Sequence, residues 1–151
     1  MNNAENGRVI VREMAVEDMT ALAALYEQFW GEESDVREMM RRFEEIQAAG
    51  THILLCAEAD GRMIGSVMGV VCAELYGGCQ PFLVVENMIV DQTRRRAGVG
   101  RVLLAELERR AKRRGCTQAI LVTELDRTGA RRFYEANGYP AGKNTGYKKK
   151  L

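Results

Sequence analysis

The fold is organised around residues 90–104, which read Val90-Asp91-Gln92-Thr93-Arg94-Arg95-Arg96-Ala97-Gly98-Val99-Gly100-Arg101-Val102-Leu103-Leu104. An apolar run over residues 82–90 leads into this stretch and predicts a strand, and an amphipathic segment over residues 98–114 predicts a helix that leads out. Glycines let a backbone approach a ligand closely, and the first N–H groups of a helix have no partner within the helix. Together with the arginines, these groups predict a cradle for an anion such as a phosphate.

Length and charge restrict the class of protein. The chain has 151 residues and a formal net charge of +1. We expect a single domain over residues 1–151 that buries its core without disulfides or metals. The near-neutral charge predicts no nucleic-acid partner and no membrane partner. Residues 1–7 are polar with no hydrophobic stretch behind them, which predicts no signal peptide, and no apolar run is long enough to span a membrane.

The cysteines favour a reduced, cytoplasmic protein. None of the four cysteines forms a C-x-x-C pair, and His52 is the only histidine. This spacing argues against a zinc site. Cys56 and Cys72 lie in apolar, strand-like runs, which is typical of buried thiols in a cytoplasmic protein.

Hydrophobic spacing predicts ten elements in the order β-α-α-β-β-β-α-β-α-β. The predicted strands cover residues 8–14, 52–59, 63–73, 82–90, 117–123 and 145–151, and the predicted helices cover about residues 16–30, 34–50, 98–114 and 128–137. Ser34 is expected to cap the second helix, and Asp60-Gly61 predicts a tight hairpin turn. The glycines in the third strand predict a bulge or a close backbone approach. This order implies an α/β fold with a mixed central sheet, mostly antiparallel, and helices on both faces.

Two motifs carry a family resemblance. Arg95-Arg96-Ala97-Gly98-Val99-Gly100 matches the signature R/Q-x-x-G-x-G/A, and Ala130-Arg131-Arg132-Phe133-Tyr134-Glu135-Ala136-Asn137-Gly138-Tyr139 looks like A-x-x-F-Y-x-x-x-G-F/Y. With this spacing and element order, nearly the whole chain resembles the GCN5-related N-acetyltransferases (GNAT). One residue departs from the family pattern, because Arg127 stands where many members have asparagine. Residues 127–151 look most like members that acetylate small-molecule amines and aminoglycosides.

The resemblance implies that acetyl-CoA is a co-substrate, that no metal takes part, and that the acceptor is a primary amine of a small molecule or peptide, which attacks directly in a ternary complex. It places the pyrophosphate on the loop residues Arg95, Arg96, Ala97, Gly98, Val99, Gly100 and Arg101. Glycine is needed at positions 98 and 100 because a β-carbon would hold the phosphates away from the backbone. In the family the preceding strand carries a bulge and separates from its neighbour, so that Met88, Ile89 and Val90 bond the pantetheine arm.

Two side chains are candidates for proton transfer. The resemblance gives Tyr134 contact with the cofactor and the role of acid, and a phenol with a pKa of about 10 can protonate the leaving thiolate. Glu86 is the candidate base, because a carboxylate inside an apolar strand is costly to bury without a reason. Several family members use such a glutamate through a water molecule. The alternatives are a tyrosine packed in the core and a structural or solvent-facing glutamate; Glu124 and Asp126 are lesser candidates for holding a cationic amine.

Other classes of function fit less well. A dinucleotide fingerprint would need a third glycine where Leu103 stands, and a P-loop would need a G-K-[ST] sequence that does not occur. A non-catalytic domain of the same fold, sensing CoA or binding a protein, stays open. The predicted final strand over residues 145–151 would leave an exposed edge through which a homodimer could form. The identity of the amine is not determined by the sequence.

Overall fold

The computed structural model describes residues 8–151; the expectation of no signal peptide concerns residues 1–7, which lie outside the described part. The chain divides into two compact units, one ending at Ile120 and the other covering Leu121–Leu151. The first unit holds the sheet and three helices, and the second holds a fourth helix. That the whole chain acts as a single domain stays a prediction.

Five strands of the first unit form one mixed sheet. They are β1 (Ile10–Glu13), β2 (His52–Ala59), β3 (Arg62–Cys72), β4 (Phe82–Val90) and β5 (Ala119–Ile120), and they lie side by side in that order. Strands β1 to β4 pair antiparallel, and β5 pairs parallel to β4 because a helix carries the chain back between them. The predicted mixed, mostly antiparallel sheet is confirmed.

The hairpin between β2 and β3 forms as predicted. Asp60 and Gly61 have φ angles of 53° and 70°. Two consecutive residues with positive φ match the right-handed twist of the flanking strands, which explains why this dipeptide sets the register of the pair.

Helices cover both faces of the sheet, as predicted. The helices are α1 (Met19–Trp30), α2 (Val36–Ala49), α3 (Val99–Arg113) and, in the second unit, α4 (Thr128–Ala136), with short 3-10 turns over Val16–Asp18 and Gln92–Arg94. On one face, Cys56 of β2 packs with Leu22 of α1 and Phe43 of α2. On the other face, β3 packs against α3.

The glycines of β3 permit a close approach of α3 to the sheet. A β-carbon at Gly69 would lie 2.6 Å from Leu107 Cδ1, and one at Gly65 would lie 3.1 Å from Val99 Cγ1. Distances this short mean that even an alanine would push the helix away. The predicted close approach is confirmed, and it places the N-terminal end of α3 beside the end of β4.

Two sequence-based expectations need correction. Asp35, and not Ser34, caps α2, because its carboxylate accepts a hydrogen bond from the Glu38 N–H at 3.1 Å. Residues 145–151 form no strand, and β5 is two residues long where seven were predicted. The final segment contains Gly146 and three consecutive lysines, so it offers no alternating apolar face for a sheet to bury. The strand edge through which a possible homodimer was predicted is therefore absent.

Candidate functional site

Strand β4 carries a bulge, as the family resemblance implied for this strand. Its pairing with β3 moves from Glu86 opposite Met68 to Ile89 opposite Ser66, so β4 has one residue more than its partner in this interval. Asn87 lies within the bulge and has a φ of 50°, in the left-handed region. A bulge bends a strand and changes the direction of the groups that follow it. The residues predicted to hold the pantetheine arm begin directly after this one.

Beyond the bulge, one edge of β4 is open. Its parallel pairing with β5 covers only Leu83 and Val84. From Val85 to Val90, β4 has no strand partner on that side among residues 8–151, whereas pairing with β3 continues to Val90. An unpaired strand edge presents a row of N–H and C=O groups to which an extended amide chain can add. Met88, Ile89 and Val90 all lie in the open stretch, with Ile89 buried and the other two half-buried.

The loop after β4 turns sharply into α3. Asp91 opens it by accepting hydrogen bonds from the N–H of Thr93 at 2.8 Å and from its hydroxyl at 2.6 Å. Arg96 and Gly98 then have φ angles of 65° and 80°, and Gly98 caps α3. Left-handed residues in such a loop direct successive N–H groups toward one concave side, which is the geometry of an anion-binding nest.

The N–H groups of this loop are free to bind a ligand. From Arg95 to Arg101, no backbone N–H has a hydrogen-bond partner within residues 8–151, and the first helical bond is donated by Val102 to the carbonyl of Gly98 at 3.1 Å. The positive end of the helix dipole lies at the same place. Arg94 pairs with Asp60 at 3.3 Å, whereas Arg95 and Arg96 form no ion pair in the described part of the chain. This loop therefore fits a dianionic group such as a pyrophosphate.

Helix α1 contacts both the bulge of β4 and the start of the loop that follows β4. The side chain of Tyr26 lies beside that of Asn87 in the bulge, and burial raises the pKa of Tyr26. The side-chain amide of Gln28 donates to the Asp91 carboxylate at 3.1 Å and accepts from the Gln92 N–H at 3.3 Å. The backbone carbonyl of Gln28 accepts from the Gln92 side chain at 3.1 Å. Hydrogen bonds from Thr93 and Gln28 hold the pKa of the Asp91 carboxyl below its ordinary value. Sequence reasoning missed Tyr26, Gln28 and Asn87, because the contacts join segments more than 60 residues apart.

We expect Gln28→Ala to loosen the loop without disturbing the chemical step. Its hydrogen bonds are exposed, so their loss should raise the KM for acetyl-CoA by about three- to tenfold, the effect of one or two ordinary hydrogen bonds, with kcat within about twofold. Steady-state kinetics with acetyl-CoA as the varied substrate measures both. Thr20→Ala, an exposed change on the same helix, serves as control. An unchanged KM would show that the loop holds its shape without α1.

The structure changes the argument about Glu86. This residue lies on β4 one position before Asn87, and its side chain is exposed. The premise that a charge is buried inside an apolar strand is therefore wrong. Its place next to the bulge still puts a carboxylate beside the open edge of β4, and the role of base stays a prediction.

Tyr134 lies on α4 in the second unit and is half-buried. Its ring meets Phe133 edge-on at 5.1 Å and Tyr139 at 5.9 Å. The carbonyl of Tyr134 accepts hydrogen bonds from the N–H groups of Asn137 and Tyr139, both at 3.0 Å, which folds the chain back after the helix. The end of the second motif thus packs the ring of Tyr139 against that of Tyr134. Glu124, a lesser candidate, pairs with Lys148 at 3.2 Å.

The described residues contain neither a candidate metal site nor a helix that could span a membrane. Residues 8–151 contain no group of three or more histidine, cysteine or carboxylate side chains that could hold a metal ion. No helix in the same range is both long enough and apolar enough to cross a bilayer.

Comparisons with known proteins agree with this geometry. A family model described as the acetyltransferase (GNAT) family matches residues 19–139. Glucosamine 6-phosphate N-acetyltransferase 1 of Oryza sativa subsp. japonica is 33% identical over 101 residues, which is 65% of this chain and 59% of that protein. The uncharacterised protein YdhI of Bacillus subtilis is 28% identical over 96 residues, 61% of this chain and 57% of that one. The chain thus spans about three fifths of the length of the curated relatives it matches.

Solved structures show the same fold. The glucosamine-6-phosphate N-acetyltransferase of Arabidopsis thaliana superimposes with a TM-score of 0.82 at 22% identity, covering 95% of this chain and 97% of that one. AAC(6')-Iy, in complex with the bisubstrate analogue CoA-S-monomethyl-acetylneamine, superimposes with a TM-score of 0.80 at 23% identity, covering 95% and 99%. The bulged strand, the open edge and the arginine–glycine loop therefore lie in a fold that occurs together with CoA in at least one solved complex.

Proposed function

Because the chain belongs to the GNAT acetyltransferase family, we propose that it moves the acetyl group of acetyl-CoA to a primary amine of a small molecule or peptide. The amine attacks the thioester directly, in a ternary complex. One observation supports this proposal above all others: the seven free N–H groups from Arg95 to Arg101 follow directly on a bulged strand with an open edge. The first feature fits the pyrophosphate of CoA, and the second fits its amide-containing arm.

We expect different parts of the chain to bind different parts of acetyl-CoA. The loop N–H groups and the start of α3 would neutralise the pyrophosphate, with Arg95, Arg96 and Arg101 adding full charges nearby. Met88, Ile89 and Val90 would pair with the pantetheine amides as a further strand pairs with a sheet. An N–H of Met88 or Ile89 would then stabilise the oxyanion that forms on the thioester carbonyl. The bulge supports this role, because it turns backbone groups of β4 away from β3.

The chemical step needs two proton transfers. The amine nitrogen bonds to the acetyl carbon, the carbon–sulfur bond breaks, and the electron pair leaves on sulfur as a thiolate. Tyr134 would give its phenolic proton to that sulfur. The nitrogen loses a proton, and Glu86 would accept it through a water molecule. Because Glu86 is exposed, a water relay to solvent is the natural path for this proton.

We expect Glu86→Gln to lower kcat/KM for the amine by about 10- to 100-fold at pH 7, the scale of one general base. An alkyl amine has a pKa of about 10, so more of it is already neutral as the pH rises. The deficit of the variant should therefore narrow between pH 7 and pH 9.5. Glu44→Gln, an exposed change on α2, should leave the profile unaltered. A deficit that stays constant with pH would remove Glu86 from the role of base.

The names of the relatives suggest which amines to test first as acceptors. One is named for glucosamine 6-phosphate, and another was solved with an acetylated neamine linked to CoA. Amino sugars therefore come first in a panel of amines, followed by polyamines and peptides with free N-termini or lysines. Release of free thiol from acetyl-CoA, measured with each amine, tests the proposal. We expect at least one amine to raise thiol release far above hydrolysis.

The same assay separates the proposal from its alternative. A non-catalytic CoA-sensing or protein-interaction domain would bind acetyl-CoA, measured by calorimetry, yet release no thiol with any amine. A chain that bound no acetyl-CoA at all would contradict both.

A further inference from the structure

A cavity of about 620 Å³ lies in the first unit, at the edge of the sheet where β1 stops. Strand β1 pairs only with residues 55–58 of β2, so the first residues of β2 run past the end of their partner. Helices α2 and α3 cover opposite faces of the sheet, and their last turns form the two walls of the cavity. Its size falls within the range of about 300–1,000 Å³ that is usual for small-molecule sites.

The cavity is distinct from the arginine–glycine loop. The loop lies at the N-terminal end of α3, whereas the cavity is lined by Arg110, Arg113 and Arg114 at the C-terminal end. At 1.5 Å per residue, the two ends of the helix are about 20 Å apart. The cavity therefore does not belong to the proposed CoA site.

Its floor is apolar and its rim is cationic. Met14, Phe43, Ile46, Ile53 and Leu54 supply hydrocarbon, and three arginines supply charge. Met14, Phe43 and Ile53 are each less than 7% exposed, so the floor is part of the packed core and not a flexible surface. A ligand that matched both surfaces would carry an apolar body and an anionic head.

Several of the hydrogen-bond acceptors around the cavity already have partners. Glu13 forms an ion pair with Arg110. The carbonyl of Leu54 accepts from the Met14 N–H at 3.0 Å, and the carbonyl of His52 accepts from the Arg114 guanidinium at 3.2 Å. Arg113 has no ion pair or side-chain hydrogen bond within residues 8–151.

Arginines at the end of a helix also have a simpler explanation, because they offset the negative end of its dipole. That explanation applies to Arg113 as well as to Arg110 and Arg114. Arg110 and Arg114 in addition tie α3 to β1 and to the end of α2 through Glu13 and Gly50. It does not require an apolar cavity beside them. It also leaves a forked donor without a partner at the mouth of that cavity.

We propose that this cavity binds a small amphipathic anion, with a carboxylate or phosphate head on Arg113 and an aliphatic or aromatic body on the apolar floor. A guanidinium fork matches either head bidentately. This site is independent of the proposed acetyl transfer, and it would give the protein a second ligand at the far end of α3.

The probe for this site is 8-anilinonaphthalene-1-sulfonate, an aromatic anion whose fluorescence rises in apolar surroundings, used on the full chain with excess CoA present. We expect saturable binding that octanoate or octyl phosphate displaces, the stronger competitor identifying the head group. Octylamine, which has the same apolar body and the opposite charge, should displace the probe at least tenfold less well. Arg113→Met, which keeps an apolar stem, should weaken probe binding about tenfold, the effect of one charge-assisted contact.

Arg37→Met, which removes an exposed arginine from the start of α2, is the matched control and should bind the probe as the unaltered protein does. The proposal is overturned if no saturable binding is seen, if octylamine competes as well as octanoate, or if the Arg113 and Arg37 variants bind equally. Because Arg113 is exposed and has no side-chain partner within residues 8–151, its replacement should lower the thermal midpoint only slightly, through loss of its interaction with the helix dipole. The midpoint is recorded for each variant.

Discussion

Replacing Tyr134 by phenylalanine should lower kcat for acetyl transfer by at least about 100-fold, the lower end of what a general acid contributes. The leaving thiolate then has to depart without a proton. The KM for acetyl-CoA should change by less than about threefold, because phenylalanine keeps the ring that packs against Phe133 and Tyr139. Steady-state kinetics with the best amine of the panel measures both constants.

Tyr139→Phe is the matched control for this prediction. It removes the same hydroxyl from the neighbouring ring in the same unit, and we expect kcat within about threefold of the unaltered protein. If the two variants lost activity equally, the hydroxyl of Tyr134 would have a structural role and not a chemical one. If Tyr134→Phe kept full activity, another donor would protonate the thiolate.

The second large effect is expected at Gly98. A β-carbon there would meet no atom of another residue within 4 Å in the described range 8–151, apart from its chain neighbours and its own helix backbone, so the space beside it is open to a ligand. Its φ of 80° is one that other residues adopt only at a cost of about 1–2 kcal/mol. Gly98→Ala should therefore strain the loop, redirect its N–H groups and raise the KM for acetyl-CoA by about 30- to 100-fold.

Gly61→Ala is the control that distinguishes backbone strain from the loss of acetyl-CoA binding. Gly61 has a φ of 70°, and a β-carbon there also meets nothing within 4 Å among residues 8–151, but it lies in the β2–β3 hairpin. We expect both variants to lose about 1–2 kcal/mol in the free energy of unfolding, measured by denaturant titration. Only Gly98→Ala should lose affinity for acetyl-CoA, measured by calorimetry. Equal affinities would mean that the ligand does not approach the backbone of the loop.

Local patterns predicted well wherever a residue's own conformational preference decides the structure. Asp60 and Gly61 both adopt positive φ, Gly31 and Gly50 end their helices in the left-handed conformation, and Gly98 opens α3. These residues need no distant partner to take up their conformations. The same local reasoning failed for residues 145–151, because a strand exists only where a neighbour supplies hydrogen bonds.

In the candidate site, too, local features were predicted and contacts between distant segments were not. The loop over residues 95–101 and the helix start that follows it were predicted, since small residues and a helix start are local features. That this loop binds an anion stays a prediction. The exposure of Glu86, the ties from Tyr26 and Gln28, and the cavity at Arg113 were not predicted. Each depends on which segment lies opposite, and no pattern within one segment records that.

The sequence by itself determined the mixed sheet, the helices on both faces and the loop that fits a pyrophosphate, because alternation, helical spacing and glycine placement act over a few residues. The family resemblance implied a bulge and a gap in this strand, but only the tertiary structure decided that β4 bulges at Asn87 and parts from β5 after Val84. A bulge is a mismatch in length between two paired strands, and an open edge is the end of a pairing. Both are properties of strands brought together by folding, so neither is present in the chain until the sheet forms.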